Sequence, residues 1–250
     1  MVNTRVQKHL LPPILYSYTL CRCIHHIIST RLRHPTTKIF ICKVDINAAF
    51  RRCTLASNTA TESLTIIDGL LLMALRMTFG GSPCPALWGI ISKTLADLSN
   101  TIIQNKDWDH TVLYDEISDS LAPPLSLPDS IPFHPAKQLA LLPPMNDKGQ
   151  VDICIDNSIG ITPDIKDNHC RICRTIPLAI RVLGRPLDPS DIIPRKEIIS
   201  RKKYATEGCM EEQKTLLGLI INSRSLTIAL PSHKHRNWRN EIQRISSSQR

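Results

Sequence analysis

Several features that this sequence lacks narrow the classes of protein to which it can belong. The most apolar early run, LLPPILYSYTL at residues 10–20, is too short to span a bilayer and is broken by two adjacent prolines. The chain does not open with a charged segment followed by an apolar one, as a secreted protein would, and no internal repeat is visible. We therefore expect an intracellular protein, cytoplasmic or nuclear, without a membrane-spanning segment.

Acidic residues are almost missing from the first part of the chain. Between Met1 and Ala60 the only acid is Asp45, among nine lysines and arginines, whereas residues 107–130 carry six acids and neither lysine nor arginine. The whole chain has a net charge of +9 and an isoelectric point near 9.2, which favours a polyanionic partner, nucleic acid before a membrane surface. A single acid within such a basic stretch makes Asp45 a candidate functional residue.

The nine cysteines do not form the pattern of a small disulfide-bonded domain, and their number is odd. We expect them to be reduced thiols. Two groups leave a zinc-binding module open as an alternative, because they combine cysteine with histidine at close spacing. They are His169, Cys170 and Cys173, and Cys21, Cys23, His25 and His26. A structural zinc needs four convergent ligands, so a single Cys-x-x-Cys without a second pair is a weak signal.

The apolar patterns predict a mixed α and β protein with enough hydrophobic residues, 42% of 250, for a packed core. The predicted helices cover residues 14–32, Thr59–Met77, 86–103, part of 168–184, and 232–245. Thr59 and Glu62 have the spacing of a capping box at the start of the second of these. The predicted strands are 39–45, the two halves of 151–161, and two short ones around Asn222 and Ser223. Proline-rich residues 105–150 predict an insertion or long surface loop, and residues 185–197 predict a linker.

Two aspartates fall at the ends of predicted strands. Asp45 ends the strand at 39–45, and Asp156-Asn157 lies at the tip of the predicted hairpin VDICIDNSIGI, where both residue types suit a tight turn. Metal-assisted nucleotidyl transfer needs carboxylates from separate strands that converge on two Mg²⁺ ions. The Asp156-Asn157 pair is therefore either a plain turn or part of a catalytic carboxylate site.

Four segments resemble the polymerase motifs of reverse transcriptases, and they occur in the family's order. They are KVDINAAFRR (43–52), MTFGGSPCPALWG (77–89), ICIDNSIGI (153–161) and EEQKTLLGLIINSRSLTIALPSHKHRNW (211–238). The chain is most similar to polymerases of retrotransposons with a long insertion before the third motif. The resemblance implies an α+β polymerase palm, an antiparallel sheet with helices on one face. It divides the chain into partial fingers (1–38), palm (39–104 and 151–230), insertion (105–150) and the start of the thumb (231–250).

The resemblance also implies roles for individual residues. Asp45 and Asp156 would ligate two Mg²⁺ or Mn²⁺ ions, with the backbone carbonyl of Ile46 as a further ligand, and Asn157 would stand at the second catalytic position. Residues of the nucleotide site would be Phe50, Gly80, Gly81 and Pro85. Residues near nucleic acid would be Arg51, Arg52, Lys214, Lys234, Arg236 and Trp238. The implied partners are an RNA template, a DNA primer and a deoxynucleoside triphosphate.

The third motif departs from the family twice, because Cys154 replaces its tyrosine and Asn157 replaces its second aspartate. The loss of a full charge at a dication site predicts a rate lower by about one to a few orders of magnitude. Asp152, four residues before Asp156, is a hypothetical compensating carboxylate. The chain also lacks the family's upstream fingers strand and stops within the thumb, so we expect a degenerate or inactive polymerase. A non-catalytic basic nucleic-acid-binding module and a retained interaction surface stay open as alternatives.

Overall fold

The computed structural model describes residues 6–14, 16–139, 146–184, 189–190 and 196–248, which form helices and antiparallel sheets. The helices are α1 (Thr19–Arg33), α2 (Ser57–Glu62), α3 (Cys84–Gln104), α4 (Glu116–Asp119), α5 (Asn168–Gly184), α6 (Arg201–Glu207) and α7 (Ser232–Ser248). The strands are β1 (Ile39–Asp45), β2 (Thr65–Ile67), β3 (Leu70–Leu72), β4 (Gln150–Cys154), β5 (Asn157–Pro163), β6 (Gln213–Leu216), β7 (Leu219–Asn222) and β8 (Thr227–Ala229).

The central sheet has the strand order β1, β5, β4 and is antiparallel throughout. One face of β1 carries Phe40, Cys42 and Val44 and belongs to a core that includes α3 and α5. The other face carries Ile39 and Ile41 and packs with α1 and the β6–β7 hairpin. Because each large apolar side chain contributes about 1.5–3 kcal/mol on burial, both faces stabilise the sheet. Helices therefore lie on both faces, and the prediction of helices on one face was wrong.

Several predicted elements are confirmed by the structure. The first predicted helix corresponds to α1, the strand ending in Asp45 to β1, and the helix at 86–103 to α3. The predicted hairpin is the β4–β5 pair, and the basic helix near the carboxyl end is α7. The two strands around Asn222 are β7 and β8, with β6 added before them, and helix α6 was not predicted.

The predicted helix Thr59–Met77 was wrong. Helix α2 begins at Ser57 and ends at Glu62, so Thr59 lies inside it and does not cap it. The chain then forms the hairpin β2–β3, which turns at Asp68 and Gly69 with φ angles of 51° and 75°. An Asp-Gly pair suits this two-residue turn because both central residues need positive φ. All six strand residues of the hairpin are exposed.

Much of the predicted insertion is anchored to the rest of the fold, unlike a free surface loop. Leu125 donates a backbone hydrogen bond to Met210 (2.8 Å) and accepts one from Glu212 (3.3 Å). Deeper in, a buried ion pair joins Glu212 to Arg224, whose Nη1 also donates to the carbonyl of Pro128 (2.8 Å). Of this segment, residues 140–145 lie outside the described residues, as does most of the predicted linker, namely 185–188 and 191–195.

The Phe133 ring extends this anchor. It contacts the guanidinium of Arg224 at 4.6 Å and that of Arg31 at 4.7 Å. Since Arg31 is on α1, Arg224 follows β7 and Phe133 belongs to the insertion, the three side chains fasten together parts of the chain that are far apart in sequence.

No helix among the described residues is long and apolar enough to cross a membrane. All nine cysteines lie within the described residues, and each is a free thiol.

Candidate carboxylate site at the end of the central sheet

The structure brings Asp45 and the tip of the β4–β5 hairpin together. Asp45 is the last residue of β1 and pairs directly with Asn157, the first residue of β5. One residue further, the backbone N–H of Ile46 donates to the carbonyl of Asp156 at 2.8 Å. Both aspartates that the sequence singled out therefore lie at the same end of the sheet, as does Ile46.

The tight turn itself consists of Ile155 and Asp156, because Cys154 and Asn157 are the last paired residues of the hairpin. The predicted turn, Asp156-Asn157, was therefore displaced by one residue. Ile155 takes the positive φ of 56°, which is an outlier for a β-branched residue and costs about 1–3 kcal/mol. Trp88 on α3 supports this conformation, since its Nε1 donates to the Ile155 carbonyl at 2.6 Å.

Asp45 is buried, with 3% of its surface exposed, and is surrounded by cations. Lys203 of α6 forms an ion pair with its Oδ2, and the Nζ of Lys43 lies 3.4 Å from its Oδ1. The Oδ1 atom itself is buried and accepts no hydrogen bond. Lys43 also forms an ion pair with Glu207.

Asp156, at the hairpin tip, is half-buried. Burial raises the pKa of its carboxyl above the ordinary value, and the nearby Asp45 raises it further. Lys203 opposes this shift, as does the side chain of Asn157, whose Nδ2 donates to Asp156 Oδ1 at 2.7 Å. The contact with Asp45 in turn raises the pKa of Lys203. The site is thus a pair of carboxylates with Lys203 as a shared cation.

The donor atoms fit one hard divalent cation better than a closed metal cage. Mg²⁺ is held by one or two carboxylates together with waters and substrate phosphates, and Asp45 offers an orphaned carboxylate oxygen beside Asp156. The described residues contain no group of three or more histidine, cysteine, aspartate or glutamate side chains that could hold a metal ion. A cation here would therefore depend on Asp45, Asp156 and further oxygen atoms from the backbone or from outside the protein.

The second predicted motif forms the surroundings of the turn. Phe50 is buried and contacts Phe79 edge-on, with ring centroids 5.0 Å apart, and Trp88 at 5.9 Å. Phe79 itself is 76% exposed, so Phe50 is a core residue directly beneath an open surface. Gly80 and Gly81 precede α3, and Gly80 has a φ of 87° that favours glycine.

Gly81 and Pro85 shape the turn before α3 and its first turn. A side chain at Gly81 would come within 2.6 Å of the Cys84 sulfur, so the turn before α3 has no room for one. Pro85 is in the first turn of α3, where the missing N–H of proline costs nothing.

Two predicted nucleic-acid contacts have another role in the structure. Arg52 points inward and donates to the carbonyls of Asn47 (3.0 Å), Lys196 (2.9 Å) and Glu197 (2.8 Å). Lys214 is buried and bonds the carbonyl of Cys209 and the carboxylate of Glu211. These two side chains therefore contact the backbone within the fold, and their assignment to the nucleic-acid surface stays a prediction.

The remaining residues of that prediction, three basic and one aromatic, are exposed or half-buried. Arg51 is exposed next to Phe50, and Arg236 and Trp238 are exposed on α7. Lys234 is half-buried, with its Nζ 3.4 Å from the Gly218 carbonyl at the β6–β7 turn. Helix α7 therefore presents a basic surface with one open indole.

Asp152 does not join the carboxylate site. Both of its carboxylate oxygens accept from the guanidinium of Arg22 on α1, one of them at 2.8 Å from Nη2. Thr19 adds a hydrogen bond from its hydroxyl to the Ile153 carbonyl at 2.8 Å. The turn between Asp152 and Asp156 explains the difference, because residues four apart share a face only along one uninterrupted strand.

Part of the two cysteine and histidine groups serves as packing, whereas Cys21, His25 and Cys170 are exposed. Cys23 and His26 are buried beneath α1, and burial raises the pKa of the Cys23 thiol. On α5 the thiol of Cys173 contacts that of Cys42 on β1, and His169 packs edge-on against Phe40 with centroids 6.4 Å apart.

Two side chains at the site carry no distinguishing signal in the sequence. Lys203 is one of three consecutive basic residues, and only the fold shows that it reaches Asp45 while Lys202 does not. Trp88 lies in a motif segment, but its hydrogen bond to Ile155 depends on how α3 packs on the hairpin.

Comparison with solved structures gives a distant match. No model of a protein family matches this sequence, and no curated protein does. The foamy viral protease-reverse transcriptase, solved in complex with an RNA/DNA hybrid, matches with a TM-score of 0.47 and 13% identity. The match covers 82% of this chain and 18% of that one.

Proposed function

We propose that this chain is a degenerate reverse-transcriptase-like palm that binds an RNA template paired with a DNA primer next to Asp45 and Asp156. Its carboxylate site is built for nucleotidyl transfer and has lost most of that activity. The resemblance of the sequence motifs supplies the reaction class, and the geometry of the site supports it.

The observation that carries the proposal is the convergence of three separate motif segments on one turn. The direct pairing of Asp45 with Asn157 joins the first segment to the third. The hydrogen bond from Trp88 to Ile155 joins the second segment to the third, and the ring contact of Phe50 with Phe79 joins the first to the second. The meeting of three segments that are scattered over more than a hundred residues supports the proposal that they form one site.

The chemistry of the site follows from its two carboxylates. Asp45, Asp156 and the carbonyl of Ile46 would hold a Mg²⁺ or Mn²⁺ ion, which neutralises charge on a nucleotide's phosphates and activates a 3′-hydroxyl. Asn157 donates a hydrogen bond to Asp156 where a second carboxylate would have added negative charge. Since each lost charge weakens cation binding, Asn157 is one reason for the low activity that we propose.

The basic surface supplies binding to the nucleic acid. Arg51 lies beside the site, and α7 presents Lys234, Arg236 and the exposed Trp238. Contacts of lysine and arginine with phosphates release counterions, so affinity falls steeply with added salt. An exposed tryptophan offers a face on which a base can stack, for about 1–3 kcal/mol.

Primer extension on an RNA template tests the catalytic part of this proposal. We expect the unmodified chain to incorporate at most traces of nucleotide with Mn²⁺, Asn157→Asp to raise incorporation, and Asp45→Ala to abolish it. Efficient incorporation by the unmodified chain would disprove the loss of activity. An Asn157→Asp chain as inactive as Asp45→Ala would disprove the assignment of the site.

Fluorescence anisotropy with a labelled RNA/DNA hybrid tests the binding part. We expect salt-dependent binding that Asp45→Ala retains and that Arg236→Ala and Trp238→Ala weaken. A hybrid that does not bind even at low salt would disprove the proposed binding of nucleic acid.

A further inference from the structure

Four charged side chains of alternating sign link α6 to the end of β1. Along this group, Lys203 pairs with Asp45, Asp45 lies 3.4 Å from Lys43, and Lys43 pairs with Glu207. Lys203 and Glu207 are four residues apart, so they occupy the same face of α6. We refer to Lys203, Asp45, Lys43 and Glu207 as the ionic tetrad.

The backbone holds α6 in the position from which Lys203 reaches Asp45. The N–H of Ser200, just before α6, donates to the Asp45 carbonyl at 3.0 Å, and the N–H of Asn47 donates to Ile198 at 2.7 Å. Within α6, Tyr204 is buried and its hydroxyl donates to the Cys173 carbonyl at 3.2 Å. The helix is thus fixed to β1 just before its first residue and to α5 at its middle.

The two partners of the Lys203–Asp45 pair differ in exposure. The side chain of Lys203 is 55% exposed, whereas that of Asp45 is 3% exposed. The ammonium group therefore lies at the solvent side of the carboxylate, where an incoming cation would approach. The half-exposed lysine has room to move into solvent, and a divalent cation that took its place would keep the buried Asp45 carboxylate neutralised.

From this arrangement we infer that Lys203 is an internal counter-ion that competes with divalent cations for Asp45. With Lys203 in place, the carboxylate is already neutralised, and a cation binds only when the lysine side chain moves into solvent. The inference rests on the proposed function, because it assumes that Asp45 and Asp156 form the cation site. It adds a reason for weak metal binding that is separate from Asn157.

Mn²⁺ binding to the full chain, followed by the loss of the free-ion signal in electron paramagnetic resonance, tests the inference without any activity assay. We expect Lys203→Met to bind Mn²⁺ about tenfold more tightly than the unmodified chain. Lys203→Arg keeps the positive charge, so this variant should bind Mn²⁺ as weakly as the unmodified chain does. Lys202→Met removes a charge from the exposed neighbour on the same helix and should change the affinity much less, which controls for the general field of the protein.

The outcomes separate the two proposals. If Lys203→Met and the unmodified chain bind Mn²⁺ equally, and Asp45→Asn removes binding from both, the competition is disproved and the cation site stands. If neither binds Mn²⁺, or if Asp45→Asn does not reduce binding, the cation site itself is disproved. A gain in Lys203→Met that Asp45→Asn abolishes and Lys202→Met does not reproduce supports the competition. Circular dichroism shows whether each variant is folded, and Lys203→Gln provides a second neutral side chain.

Discussion

The buried ion pair between Arg224 and Glu212 allows a quantitative prediction about how the insertion is held. Arg224 Nε donates to Glu212 Oε1 at 3.0 Å and Nη2 to Oε2 at 2.5 Å, and both side chains are almost completely buried. Glu212 Oε2 also accepts from the backbone N–H of Leu127 at 2.8 Å. Replacing Arg224 with methionine would therefore leave a buried carboxylate with one hydrogen bond and only the more distant Arg31 as a counter-charge.

The size of the effect follows from that uncompensated charge. Breaking a buried ion pair by removing one partner costs about 3–5 kcal/mol, whereas removing both charges is often nearly neutral. We expect Arg224→Met to lose about 3–5 kcal/mol of the free energy of unfolding. A second change, Glu212→Gln, removes the stranded charge but keeps an oxygen for Leu127. The double variant should therefore recover at least about 2 kcal/mol of that loss.

Urea unfolding monitored by circular dichroism measures these values. With a slope of about 2–3 kcal/mol per molar urea, the single variant should shift the midpoint down by about 1–2 M. A single variant within about 1 kcal/mol of the unmodified chain would show that the pair contributes far less than its burial implies. A double variant no more stable than the single one would show that lost packing around Phe133, and not the stranded charge, explains the cost.

Three further predictions concern the sheet and α1. The pKa of His26 is lowered to about 4, chiefly by burial, with Arg22 and His25 adding to the shift and Asp152 opposing it. The neutral His26 side chain therefore contributes fully to stability above pH 6.5, and this contribution is lost as the pH falls toward 4. The loss should reach about 3 kcal/mol. Urea unfolding at each pH measures it, with His26→Leu as the variant that lacks the titrating group. Gly149→Ala should cost about 2–3 kcal/mol in the same assay, because φ is 111° and the new methyl would lie 2.6 Å from the Ile161 carbonyl. Asp152→Asn should leave the Mn²⁺ affinity unchanged and lower the stability, because both carboxylate oxygens of Asp152 accept from Arg22. A loss of Mn²⁺ affinity would show that Asp152 belongs to the cation site.

The sequence predicted the parts of the fold that depend on local pattern. The β-branched run that ends at Asp45 formed β1, and the alternation on either side of Asp156 formed β4 and β5. Both patterns succeed because burial on one face of a strand imposes a period of two residues. The motif phrases then indicated that Asp45 and Asp156 belong to one site, and their strands do meet in the structure.

Where local signals compete, the prediction failed. Between Thr59 and Met77 the apolar residues fit a helix, but Asp68-Gly69 is a strong turn signal and it determined the structure there. The turn of the β4–β5 hairpin was misplaced because Asp and Asn tolerate positive φ better than isoleucine does. Tertiary packing under Trp88 nevertheless places Ile155 at that position.

Charge partners were the least predictable feature. Arg52, Lys214 and Asp152 are polar residues near the motifs, yet each is engaged within the fold. Lys203 reaches Asp45 although the two residues are far apart in sequence. Which lysine faces which carboxylate depends on how the helices pack, and helix packing cannot be read from a single sequence.

The pairing of Asp45 with Asn157 also bears on how the protein folds and how it can change. More than a hundred residues separate these partners, so their contact closes a long loop, and such contacts slow folding and form after local structure. The entropy of closing a loop grows slowly with length, by about 0.6 kcal/mol for each doubling. The segment between α3 and β4 could therefore lengthen or shorten considerably at little cost to the carboxylate site, provided that its anchor at Glu212 and Arg224 is kept.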